Sequence, residues 1–88
     1  MKKAMSVLLL ALVAFSAVAF ATTYISKAKA ESIAQHAVGG GAVVLAVLET
    51  QDNPPVWSVD IFNHKTNKQF EVKVNAVTGH VVQIIPGG

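Results

Sequence analysis

The stretch Gln69-Phe70-Glu71-Val72-Lys73-Val74-Asn75-Ala76-Val77-Thr78-Gly79 decides the fold. Phe70, Val72 and Val74 alternate with Gln69, Glu71, Lys73 and Asn75. That period of two belongs to a strand with one face against a core and one face in water. Ala76-Val77-Thr78-Gly79 then reads as a turn. An Asx residue placed before it accepts hydrogen bonds from backbone amides just ahead, and Gly permits the left-handed conformation that tight turns need. Val81 to Ile85 resumes as a strand. A link this short makes the two strands antiparallel neighbours.

Working back from that hairpin, Val56 to Asn63 alternates Trp57, Val59 and Ile61 with Ser58 and Asp60, and Ala42 to Thr50 is almost wholly apolar. Gln51-Asp52-Asn53-Pro54-Pro55 and His64-Lys65-Thr66-Asn67-Lys68 link these strands, and both are rich in turn formers. Short links throughout predict a meander. Ahead of the strands, Ser26 is an N-cap for a helix running from Lys27 to Ala37. Lys29 stands where a capping box would need Glu, and Ile25 is placed for a hydrophobic staple with Ala30 as a small mate. Ala30, Ile33, Ala34 and Ala37 fall on one face at helical spacing. Three of the four are Ala, so the helix must lie close to whatever it covers. Gly39-Gly40-Gly41 ends it. The expected fold is α+β: one N-terminal helix on one face of a four-stranded antiparallel meander, preceded by a signal-peptide helix.

That leader is residues 1–21. Lys2 and Lys3 form a positive start, Ala4 to Ala21 is apolar apart from Ser6 and Ser16, and Ala19-Phe20-Ala21 supplies the small residues a signal peptidase reads. Cleavage is expected before Thr22, with Ala17-Val18-Ala19 as the second site. An uncleaved anchor is the competing reading, because the run is near the shortest length that spans a bilayer. In both cases the positive start stays cytoplasmic and the domain, residues 25–85, lies outside, in the periplasm or secreted.

The formal charge of +2 belongs to the leader. Beyond it, Lys27, Lys29, Lys65, Lys68 and Lys73 balance Glu31, Glu49, Asp52, Asp60 and Glu71. There is no Arg and no basic cluster, which argues against a nucleic-acid partner. There is no Cys, which excludes disulfides, thiolate catalysis and thiolate metal sites. So small a domain has to hold together by packing alone.

Taken together, the residues resemble a known family. Ile25-Ser26, Ala30, Ile33-Ala34, the glycine break, a strand ending in Glu49, Val56-Trp57-x-Val59 and Phe70-Glu71-Val72-x-Val74-Asn75-Ala76-x-Thr78-Gly79-x-Val81 are similar to the PepSY domain. That domain occurs in propeptides of secreted metalloproteases and in small exported bacterial proteins. The most specific piece is the closing hairpin, usually Val-Asp-Ala-x-Thr-Gly-x-Val. Asn75 stands where the family has Asp, and Lys29 where an acidic residue is common. The resemblance implies a non-catalytic protein-binding module, a regulator or inhibitor of an exported peptidase. With no peptidase sequence following, inhibition is expected to act in trans.

Other chemistry finds little support. His64 and His80 flank the third strand at opposite ends, about 20 Å apart at strand rise, so they cannot share an ion. His36 and His64 fall at one end without a third ligand. Asp60, Glu71 and Lys73 read as a cross-strand charge cluster on the wet face. Ser58 lacks a Gly-x-Ser-x-Gly elbow, and the three glycines do not follow a strand and open a helix. No enzyme activity, cofactor or metal is therefore expected. Trp57 shares its face with Val59 and Ile61 and reads as core. The partner-binding expectation falls on the first strand, an edge of the meander, where Val44 and Leu48 would lie beside Phe62 on the face away from the helix. Two alternatives follow from the same features: self-association through that edge into a homodimer or structural envelope protein, and binding of a small ligand or metal.

Overall fold

Ser26 starts the helix as its residue type dictates. Its backbone is extended and its Oγ accepts from the Lys29 N–H at 3.1 Å, so an otherwise orphan donor is satisfied. Helix α1 spans Lys27–Ala37 in the computed structural model, which describes residues 22–87. The leader read at residues 1–21 lies outside these described residues. Among them, no helix is long and apolar enough to cross a membrane.

The C-terminal end of α1 closes by the Schellman pattern. Gly39 N–H donates to His36 O at 3.3 Å and Gly40 N–H to Gln35 O at 2.8 Å. Gly39 has φ +81°, the left-handed region that this motif requires and that Gly enters at no steric cost. Gly41 is demanded by a different constraint. A Cβ there would lie 2.7 Å from the Ile61 Cγ2 and 2.9 Å from the Phe62 carbonyl oxygen, so the chain could not run this close to the sheet with a side chain.

Four strands follow: β1 (Ala42–Glu49), β2 (Val56–Asn63), β3 (Lys68–Asn75) and β4 (Val81–Pro86). They pair antiparallel in the order β1-β2-β3-β4, the expected meander. Helix α1 packs on one face of the sheet, and Ala30 and Ala34 are fully buried against Val59, Ile61, Val72 and Val74. Alanine is what lets the helix backbone come down onto the sheet. Ile33 and Val38 complete the apolar stripe, while Ala37, read as part of it, is exposed. Ala30, Ala34 and Val38 recur at i, i+4 spacing, and Val38 at the C-cap takes the place expected of Ala37. Phe70 and Trp57 close the ends of the core, as their inward phase predicts.

The segment before the helix is fastened at both backbone polar groups of Ile25. Its N–H donates to Ala76 O at 2.8 Å, and its carbonyl accepts from the Trp57 indole N–H at 3.0 Å. Ala76 N–H in turn donates to Pro55 O at 2.8 Å. Three chain segments thus meet beneath Trp57. Every core residue lies between Ile25 and Ala76, so the domain carries its own core.

The two closing hairpins use the same device. Asn63 Oδ1 accepts from the Lys65 and Thr66 N–H groups at 2.9 and 3.3 Å. Asn75 Oδ1 accepts from the Val77 and Thr78 N–H groups at 2.8 and 2.9 Å. Each Asn is the last residue of its strand, and each side chain builds the turn that follows.

Candidate functional site

Among the described residues, helix α1 covers one sheet face only, and the opposite face and the two edge strands carry no other element. Which side chains stand on that outer face follows from the registers. From β2 it receives Val56, Ser58, Asp60 and Phe62, and from β3 Gln69, Glu71, Lys73 and Asn75. Strand β1 departs from regular alternation. Val43 pairs with Ile61 but Leu45 pairs with Asp60, so Val44 is an extra residue, a β-bulge. Beyond the bulge the phase is reversed. Leu45, Val47 and Glu49 oppose Asp60, Ser58 and Val56 on the outer face, while Ala46 and Leu48 oppose Val59 and Trp57 on the helix face.

This corrects the expected grouping of Val44, Leu48 and Phe62. Val44 is 62 % exposed at the bulge, and Phe62 is on the outer face, half-buried. Leu48 is half-buried beside Trp57 on the helix side and does not join them. The apolar residues that do stand open on the outer face of β1 are Leu45, at 54 % exposure, and Val47, at 42 %. Between Ala42 and Leu48 this edge carries no charge, proline or polar side chain to discourage another strand.

Beside that apolar strip lies a polar cluster that sequence reasoning found only in part. Ser58 Oγ is 2.9 Å from Glu71 Oε2 and 3.2 Å from Glu49 Oε1. One hydroxyl has one proton, so it donates to one carboxylate at a time. Lys73 Nζ is 3.7 Å from Glu49 Oε1, the one ion pair among the described residues. Asp60 and Glu71 are direct cross-strand partners, as the alternation of β2 and β3 implies. Glu49 was missed because only the bulge turns it to this side.

The histidines are separate. His36 is exposed in the last turn of α1, and His64 stacks edge-on against Phe62 with ring centroids 4.9 Å apart. His36 and His64 line neighbouring shallow hollows around Gly39–Gly41, and His80 lies past the opposite end of β3. Among the described residues no three His, Cys, Asp or Glu side chains are grouped to hold a metal ion.

The comparison with known families adds one finding. The model described as "Peptidase propeptide and YPEB domain", PepSY, matches residues 24–84, more than half of the chain and nearly all of the described residues. No curated protein and no solved structure matches the chain.

Proposed function

The chain belongs to the PepSY family, and from that membership we propose that it is an exported, non-catalytic module that binds a protein partner and restrains a secreted or periplasmic peptidase in trans. The family is one of propeptide- and inhibitor-like modules found in exported proteins. The single observation that carries the reading is the match across residues 24–84, which takes in the helix and all but the last two residues of β4. The β1 edge supports it, because among the described residues this strand is paired on one side only, and with Val44, Leu45 and Val47 exposed it is suited to taking up an extended segment of another protein.

Export follows from the leader. N-terminal sequencing of the protein recovered outside the cytoplasm of an expressing bacterium should begin at Thr22. Recovery only in the cytoplasm, with Met1 retained, would defeat it. Inhibition is tested by titrating the purified domain, Thr22–Gly88, into metallopeptidases secreted by the same cells. At least one should lose activity in a saturable way, and Val47→Lys should weaken that effect about tenfold without unfolding the domain. Full activity of every such peptidase at saturating domain would end the inhibitor reading.

A further inference from the structure

The balanced charge of residues 22–88 hides a segregated surface. Glu49, Asp60 and Glu71 all stand on the helix-free face of the sheet, with Lys73 as the one cation among them. The remaining lysines are elsewhere: Lys27 and Lys29 on α1, Lys65 in the β2–β3 turn, and Lys68 in the helix-side phase of β3. The outer face therefore has a net excess of acid, and its neutralisation is incomplete. Lys73 reaches Glu49, the Ser58 proton serves one of two carboxylates, and Asp60 has no cation in ion-pair range among the described residues. Carboxylates placed directly opposite each other, as Asp60 and Glu71 are, repel. Aliphatic Leu45 and Val47 border the same patch on the open edge.

We propose that this face docks a cationic, aliphatic segment of a protein, in which Lys or Arg side chains meet Asp60 and Glu71 while neighbouring aliphatic side chains cover Leu45 and Val47. This rests on the reading that the module binds a protein, and it names the chemistry of the partner. Charge complementarity selects that occupant. A second copy laid face to face would set acid on acid. An acidic segment would add to a repulsion already present.

The test uses two fluorescent peptides, one alternating Lys and Val, the other Glu and Val, titrated into the Thr22–Gly88 domain and read by anisotropy. The Lys–Val peptide should bind, and the Glu–Val peptide should bind at least tenfold more weakly. Raising salt to several times physiological strength should weaken the Lys–Val complex. Asp60→Asn with Glu71→Gln should lower its affinity about fivefold, the effect of removing two exposed ion pairs, with an unchanged or raised melting temperature. Equal affinity for the two peptides, or wild-type affinity in the double variant, would overturn the proposal. So would a melting temperature that rises with calcium or magnesium alone, or a domain dimer at micromolar concentration abolished by Val47→Lys. Peptidase inhibition that survives the double variant would remove the cationic occupant while leaving the inhibitor reading intact. Charge-selective peptide binding without inhibition of any peptidase would do the reverse.

Discussion

The bulge at Val44 makes a prediction that separates two adjacent residues of the same strand. Val47 stands on the outer face and is 42 % exposed, whereas Leu48 is half-buried against the helix-side face opposite Trp57. Each is replaced in turn by Lys. At Val47 the ammonium stays in water, and Glu49, next on the same face, bears the opposite charge. The expected change is within about 0.5 kcal/mol, the usual range for an exposed site. At Leu48 the domain loses aliphatic contact beside Trp57. Full burial of a Leu side chain is worth about 1.5–3 kcal/mol, and a half-buried one roughly half of that. Lysine recovers some of it by laying its stem along the indole with its head in solvent, but Trp57 is left partly uncovered. The net cost is about 1 kcal/mol. In a domain this small, about 4–8 °C of melting temperature accompanies each kcal/mol. Thermal unfolding followed by circular dichroism should therefore show Val47→Lys within about 4 °C of wild type and Leu48→Lys lower by about 4–8 °C. The reverse order would mean that β1 alternates without the bulge. The composition of the outer face, and the docking argument built on it, would then fall.

Three further outcomes follow from the turns and the close approaches. Asn75→Ala removes the acceptor of two turn amides and should cost about 1 kcal/mol in urea denaturation, whereas Asn75→Asp keeps the geometry, strengthens both bonds through its charge and should match or exceed wild-type stability. A loss on Asn75→Asp as large as that on Asn75→Ala would show that the side chain does not cap the turn. Gly41→Ala sets a methyl 2.7 Å from the Ile61 side chain and 2.9 Å from a backbone carbonyl at φ +134°, and should cost about 1–3 kcal/mol, while Gly39→Asn, where a left-handed Asn meets open space, should cost less than half as much. Equal losses in a thermal scan would discount the close approach. Trp57→Phe keeps the aromatic bulk but removes the donor to the Ile25 carbonyl, so hydrogen exchange should quicken at the Ile25 amide before it quickens in β2. Unchanged protection at Ile25 would mean that the indole bond does not hold the pre-helix segment.

In the docking proposed above, the charged face is what would let a small module of balanced charge select its partner. Net charge governs solubility and long-range attraction, but recognition is local. Four lysines project from the helix, the turn and the opposite phase of β3, leaving Glu49, Asp60 and Glu71 to set the character of the uncovered sheet. An apolar edge beside such a face combines two kinds of contact, one that contributes affinity and one that discriminates among segments of similar hydrophobicity.

Most of the architecture was legible in the amino-acid sequence because each element is specified by local chemistry. Ser26 caps α1 with its own side chain, Gly39 closes it through a left-handed backbone, and Asn75 builds the last turn. The alternation of Phe70, Val72 and Val74 fixes the inward face of β3 because a polar residue stands at every other place. Tertiary structure alone decided the phase of β1. From Ala42 to Leu48 every residue is apolar, so the strand contains no alternation to say which side chains face the helix. The choice is made by packing: Gly41 lies hard against Ile61, Val43 enters beside it, and the extra residue at Val44 resets the register so that small Ala46 pairs with Val59 on the helix face. That one inserted residue turns Leu45, Val47 and Glu49 outward and Leu48 inward, since a uniform apolar run fits the ladder in either phase and only its neighbours distinguish them.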